Sequence, residues 1–206
     1  MFEAHVSKIA SQFARPRGLF GRFVGLILAN RPSNLRRAQW TVEVLALSRG
    51  DRVLEIGCGP GVALKACLTI MAESGDVVGV DHSDVMIKLA RRRNSLAVQS
   101  KRLKLITGTI DDVPADEGPF DRIFSINVIQ FITDKEAFVA NCVKRLAPNG
   151  VLATTYQPRI KPSREAALAM ATTLTELKAQ AGLTRIRTEV LELKPVPAIC
   201  VLAQKA

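Results

Sequence analysis

Glycines occupy every second position of Gly57-Cys58-Gly59-Pro60-Gly61, directly behind the apolar run Val53-Leu54-Glu55-Ile56. A residue without a Cβ lets the chain turn sharply after a strand. It also leaves bare peptide for a bulky ligand to lie on, above the amino end of the next helix, which is expected over 61–73. A dinucleotide loop spelled G-x-G-x-x-G would need glycines at 57, 59 and 62, but position 62 is Val62 and the third glycine is Gly61. The spacing therefore favours a nucleotide-like cofactor other than a dinucleotide. Three alternating glycines also exceed what a strand-to-helix turn requires. Downstream, Val77-Val78-Gly79-Val80 ends in Asp81, spaced so that its carboxylate would meet both hydroxyls of a ribose. The same Asp81-His82-Ser83 can also serve as an N-cap for the helix opening with Val85-Met86-Ile87, and the two roles are compatible.

Glu55-x-Gly57-x-Gly59-x-Gly61 behind a Val/Leu/Ile strand resembles the first motif of the class I S-adenosylmethionine-dependent methyltransferases. The later segments keep that family's order, covering 52–157 well and the C-terminal region more weakly. The resemblance implies an α/β fold, a Rossmann-like three-layer sandwich. Its mostly parallel seven-stranded sheet would have an antiparallel last strand, with N-terminal helices added. It also implies S-adenosyl-L-methionine as cofactor. Glu55, Gly57, Cys58, Gly59 and Gly61 would form the loop, Glu55 acting indirectly through loop amides or the cofactor ammonium. Asp81 would take the ribose, and His82, Ser83 and Met86 would wall the adenine pocket. Asn127 would close the set, with 128–131 lying over the methionine end. In the loop after the third strand the family usually has Gly-Asp-Ala, an acid, then Asp-Leu-Pro; here Thr109 replaces the first Asp. That leaves the adenine contact to the Thr109 hydroxyl or the Ile110 amide.

The remaining segments supply the elements. Strands are expected at 103–108, 120–127 and 151–156, the last after the turn Leu146-Ala147-Pro148-Asn149-Gly150. A helix over 164–181 precedes strands at 184–193 and 198–203, which the Pro195-Val196-Pro197 break would fold into a hairpin. Strands alternating with helical stretches signal a parallel sheet covered on both faces. A chain of 206 residues, 48% of them hydrophobic, can bury a full core. We read 51–206 as the cofactor-binding domain and 1–50 as a helical lid that meets the substrate.

Within that lid, the apolar run Phe20-Gly21-Arg22-Phe23-Val24-Gly25-Leu26-Ile27-Leu28-Ala29 is shorter than the ~20 residues that span a bilayer. Flanked by Arg15, Arg17, Arg31, Arg36 and Arg37, it would either pack over the cofactor cleft or lie peripherally at an anionic membrane surface. Ser33 or Asn34 is expected to start the helix carrying Trp40. Arg31, Asn34, Trp40, Gln130 and Tyr156 are the substrate-side candidates. Tyr156 qualifies because it ends the fifth strand at the sheet edge where ligands bind in open α/β folds. Core packing is the competing role for Trp40 and Tyr156.

Cys58, Cys67, Cys142 and Cys200 form no C-x-x-C pair, which argues against a zinc site or a disulfide framework. No signal-like N-terminus is apparent, so a cytoplasmic location is expected. The net charge of +10 and the cluster of Arg91, Arg92, Arg93, Lys101, Arg102 and Lys104 invite a nucleic-acid partner. Base-amine methyltransferases, however, carry Asn/Asp-Pro-Pro-aromatic after the fourth strand, where this chain has Asn127-Val128-Ile129-Gln130. The reading is transfer of a methyl group to a small or lipid-like acceptor by in-line displacement. The alternatives are an RNA-modifying methyltransferase and a non-catalytic adenosine-nucleotide module. Neither His5 nor His82 has a catalytic spacing, so no catalytic residue is assigned, and no metal is expected.

Overall fold

Successive residues of each central strand bury into opposite layers, as the two-residue period of a pleated strand dictates. Val53, Val77, Phe124, Ala153 and Leu202 belong to one core, and their neighbours Leu54, Val78, Ile123, Leu152 and Val201 to the other. Strands buried on both faces read as continuous apolar runs, which is how these segments look in the sequence. The structure is a computed structural model that describes residues 31–72, 74–159 and 162–206. The apolar run before Asn30, with Arg15, Arg17 and Arg22, lies outside the described residues, so most of the expected lid does too.

The strands are β1 (Arg52–Ile56), β2 (Asp76–Asp81), β3 (Leu103–Thr107), β4 (Phe120–Ile126), β5 (Leu146–Tyr156), β6 (Thr184–Leu191) and β7 (Ala198–Gln204). They form one sheet in the order β3-β2-β1-β4-β5-β7-β6. β1 to β5 pair in parallel, and β7 runs antiparallel between β5 and β6. This is the expected sandwich. The order reverses at β1, between β2 and β4, so a crevice opens there at the carboxyl ends of the strands.

Helices α1 (Pro32–Val44), α2 (Val62–Met71) and α3 (Asp84–Arg93) cover one face; α4 (Ser95–Gln99) is a single short turn after α3. Helices α5 (Lys135–Arg145) and α6 (Arg164–Gln180) cover the other face. α1 begins earlier than Ser33 or Asn34: Arg31 is the N-cap and Pro32 the first helical residue. Proline suits that position because its φ is already helical and its missing N–H has no intrahelical partner there. α6 starts at Ser163, whose hydroxyl accepts from the Ala166 amide at 3.0 Å. The edge strand β6 displays Arg185, Arg187 and Glu189, charges that discourage further strand pairing.

Lys178 on α6 is fully buried, and its Nζ donates to the Leu152 and Val201 carbonyl oxygens at 2.8 and 2.7 Å. Burial pushes its pKa down to about 7. A depressed folded-state pKa means that stability is fully present above the unfolded value of 10.5 and is lost as pH falls through about 7. Between pH 7 and 8.5 wild-type protein should therefore gain about 1–2 kcal/mol relative to Lys178→Met. Guanidinium unfolding of both proteins at the two pH values measures this, and parallel pH dependences would show that Lys178 stays charged when buried.

Candidate functional site

At the carboxyl end of β1, Gly57, Gly59 and Gly61 all have positive φ, at 69°, 52° and 75°. The Gly57 and Cys58 amides both donate to the Val80 carbonyl, at 2.8 and 3.0 Å, tying the loop to the end of β2. Gly61 is the left-handed N-cap of α2. It is pressed against α3, where a Cβ would stand 2.6 Å from Asn94 Nδ2 and 3.1 Å from Ala90 Cα. A Cβ on Gly59 would meet nothing within 4 Å. Gly61 is thus required by packing, whereas Gly59 faces open space.

Asp81, the last residue of β2, is 7% exposed. Its Oδ2 accepts from the Gly59 amide at 2.8 Å and its Oδ1 from the Ser83 amide at 2.9 Å. A carboxylate offers roughly four lone-pair sites, so about two remain for a ligand. Burial raises its pKa, and the Ser83 and Gly59 amides oppose the rise. Glu55 is buried one residue before the end of β1. Burial, then the Asp81 charge, pushes its carboxyl well above the usual range, while the Leu64 amide in the first turn of α2 pulls the other way. Glu55 thus satisfies one of the amides that a helix start leaves open. Burial, followed by the Glu55 and Asp81 charges, holds the Cys58 thiol far above its ordinary pKa. It is a small buried filler, not a nucleophile or metal ligand.

Across the crevice, Asn127 follows β4 with φ of 55°, a conformation asparagine tolerates better than most residues. Its amide donates to the Thr155 carbonyl and its Oδ1 accepts from the Gln157 amide, both at 2.8 Å. This leaves Asn127 Nδ2 buried without a partner, as are Glu55 Oε2 and Gln130 Oε1. Unpaired buried groups cost about 1–3 kcal/mol each. An orphaned donor and orphaned acceptors fit a ligand that carries both an ammonium and a carboxylate. The Asp81 carboxylate fits a pair of hydroxyls.

The other expected cofactor residues are placed unevenly. Ser83, bonded to Asp81 through its amide, and Met86 on α3 are both buried, whereas the His82 side chain is 46% exposed, with Nδ1 3.7 Å from Asp81 Oδ1. The Ile110 side chain is buried in the core. Thr109 is committed to its own turn, Ile110–Asp112. Its amide and hydroxyl donate to Asp112 Oδ2 at 2.8 and 3.1 Å, and its oxygen accepts from the Asp111 amide at 3.3 Å. This pins the Asp112 carboxyl below its usual range.

On the substrate side, Gln130 is half-buried in the turn Ile129–Phe131. Tyr156 is half-buried against the core, and burial raises its hydroxyl pKa. Trp40 does not line the crevice: it is 8% exposed and packs in the α1–α2–α3 core. Its place on the inner face of α1 makes it a packing residue. Arg31 and Asn34 sit at the start of α1, Arg31 exposed and Asn34 half-buried. The basic stretch Lys101, Arg102 and Lys104 lines a cavity with Arg52, Asp76 and Phe120, at the amino ends of the strands and away from the glycine loop. Among the described residues no group of three His, Cys, Asp or Glu is placed to hold a metal ion.

Three residues were not singled out from sequence as site residues. Arg37 reaches from α1 to the Gln157 side chain beyond β5, and Arg159 follows two residues later. For Gln157 and Arg159 the available signal is their position directly after the carboxyl end of β5, where the sequence reading names only Tyr156; Arg37, on α1, carries no such signal.

A family model for a methyltransferase domain matches residues 53–150. The chain is 31% identical over 184 residues to YdaC of Bacillus subtilis, an uncharacterized methyltransferase, covering 88% of this chain and 97% of the relative. It is 28% identical over 153 residues to a demethylmenaquinone methyltransferase of Tropheryma whipplei. That match takes in 72% of this chain but only 58% of the relative's length. A solved methyltransferase from Aquifex aeolicus, described as SAM-dependent, superposes with a TM-score of 0.72 at 19% identity, covering 90% of this chain and 98% of that one. The last likeness is one of fold. Near-complete coverage of YdaC at 31% identity, on a sheet whose crevice suits the expected ligand, makes this chain a member of the class I S-adenosylmethionine-dependent methyltransferase family.

Proposed function

We propose that this methyltransferase acts on a small amphiphilic acceptor, with the cofactor held by Glu55, Gly57, Gly59, Gly61, Asp81 and Asn127. The observation that carries the cofactor placement is the Asp81 carboxylate, fixed by two backbone amides and left with capacity for two more donors. Ribose hydroxyls are such donors. Met86 would wall the adenosine end, the Ile110 amide would donate to the adenine ring, and the Thr109 hydroxyl, whose hydrogen bond is donated to Asp112, keeps one lone pair for the adenine amino group.

The cofactor supplies a methyl group on a sulfonium, already activated toward an electron-pair donor. The chain's own work is then to hold an uncharged nucleophile in line with that methyl and to exclude water. Asn127 and Gln130, on the β4 side, are placed to fix the methyl-bearing end, and Tyr156 borders the space where the acceptor would approach. The Tyr156 hydroxyl, its pKa raised by burial, stays protonated at neutral pH and serves as a hydrogen-bond donor to the acceptor.

The similarity to a demethylmenaquinone methyltransferase supports an amphiphilic, lipid-like acceptor. No helix among the described residues is long and apolar enough to cross a membrane, and the basic apolar run 20–29 would meet the acceptor at a membrane surface. The test is transfer of label from S-adenosyl-[methyl-³H]methionine by the purified full chain to amphiphilic phenols and quinols, with and without anionic phospholipid vesicles. Label is expected in the organic extract, with vesicle binding lost when residues 1–29 are removed. Label found only in added RNA, at an affinity falling steeply with salt, would replace this acceptor class with the nucleic-acid one.

A further inference from the structure

Beyond the carboxyl end of β5 the chain gathers positive charge with no counter-charge among the described residues. Arg37 is 4% exposed, yet among the described residues its guanidinium hydrogen-bonds only neutral amide oxygens, Gln157 Oε1 and Asn34 Oδ1, and its Nε is buried without a partner there. Arg159 Nη2 shares the Asn34 oxygen at 3.5 Å. None of the ion pairs formed among the described residues includes Arg31, Arg37 or Arg159. Burial, then the charge of Arg159, lowers the Arg37 pKa to about 10. Arg159 as a residue is exposed, yet its guanidinium is crowded enough that desolvation, then the charge of Arg31, lowers its pKa as well.

A buried guanidinium is ordinarily paired with an acid. Here the supporting residues are held in place as if for a ligand. Gln157 is fixed at both ends, its Nε2 donating to the Val196 carbonyl and its amide to Asn127 Oδ1, each at 2.8 Å. The α1 backbone beneath Arg37 is fastened to β5, with Thr41 Oγ1 2.9 Å from Thr155 Oγ1. The preceding sequence offers little compensation, since residues 1–30 contain one acid, Glu3, against Lys8, Arg15, Arg17 and Arg22.

We propose that Arg37 and Arg159 form an oxyanion site that binds a carboxylate or phosphate of the acceptor, Arg37 from within and Arg159 from the rim. The strand order supports the acceptor as the source of that anion. β5 lies on the far side of β4 from β1, about 10 Å from the glycine strand at ordinary spacing, beyond Asn127 and next to Tyr156. A forked, always-charged guanidinium matches carboxylate and phosphate bidentately. The assignment rests on the methyltransferase reading for what the anion belongs to, but the anion site can be measured without it.

Inorganic phosphate titrated calorimetrically into the full chain, with and without saturating S-adenosylhomocysteine, provides the test. Saturable binding is expected in both conditions. Arg37→Gln and Arg159→Gln should each weaken it about tenfold, whereas Arg91→Gln, an exposed arginine on α3, should leave it unchanged. Arg159→Gln alters a rim residue and decides the matter if Arg37→Gln fails to fold. No saturable phosphate binding, or equal loss in the Arg91 variant, overturns the site.

A second arm compares S-adenosylhomocysteine with 5′-methylthioadenosine, which has the same adenosine and thioether but no amino-acid carboxylate. Suppose Arg37→Gln weakens the first ligand and spares the second, and S-adenosylhomocysteine expels phosphate. The anion is then the cofactor's own and the proposal fails. If wild-type protein binds neither nucleoside, it is the cofactor reading that has failed, and phosphate binding in their absence still decides whether the oxyanion site exists.

Discussion

Asp81→Ala is expected to weaken S-adenosylmethionine binding roughly a hundredfold. Each hydrogen bond to a charged acceptor contributes about 1.5–3 kcal/mol, and the free capacity of this carboxylate accommodates two. A loss of about 3 kcal/mol corresponds to that factor. Because the same carboxylate holds the Gly59 and Ser83 amides, the variant should also melt a few degrees lower, by about 1 kcal/mol per amide left unpaired. Asp81→Asn keeps the shape and one acceptor oxygen but turns an NH2 toward one of the backbone donors, so it should lie between wild type and alanine in affinity. Calorimetry with all three proteins measures this. Undiminished affinity in the alanine variant would remove the ribose from this carboxylate.

Two glycine substitutions in the loop should separate stability from binding. Gly61→Ala places a methyl 2.6 Å from Asn94 Nδ2 and 3.1 Å from Ala90 Cα at φ of 75°. Left-handed backbone costs alanine about 1–2 kcal/mol, and forcing α3 away adds about 1–3 kcal/mol. A domain of this size is stable by only about 5–15 kcal/mol, so its melting temperature should fall by about 5–15 °C. Gly59→Ala meets no protein atom within 4 Å and should lose only the backbone term, about 1–2 kcal/mol. Its methyl enters the space assigned to the cofactor, so affinity should drop about tenfold or more. Thermal melts with and without S-adenosylmethionine read both effects. If Gly59→Ala binds the cofactor as tightly as wild type, the ligand does not lie on this peptide.

The fold was legible because parallel strands buried on both faces leave long apolar runs, and because Gly57 and Asp81 punctuate them; the turn expected at 146–150 is instead the first half of β5, with Asn149 held at φ of 62° inside the strand. The start of α1 was misplaced, since a serine and an asparagine compete as N-caps in the spelling while proline's pre-set φ decided the outcome. Trp40 was ambiguous in the sequence because a lone aromatic on an amphipathic helix has no visible partner until the helix is docked. Thr109 is a case where the sequence does not show the local bonding of the residue it names. With a threonine at the N-cap and Asp112 three residues on, the turn satisfies its own amides. Arg37, Gln157 and Arg159 come together only through the docking of α1 on β5, a contact between segments 120 residues apart that no spacing rule announces.

If the carboxyl edge of β1, β2 and β4 holds S-adenosylmethionine, calorimetric titration of wild-type protein will show one saturable site for S-adenosylmethionine and none for NADH. Binding of NADH instead, or of neither ligand, would remove the cofactor from this crevice.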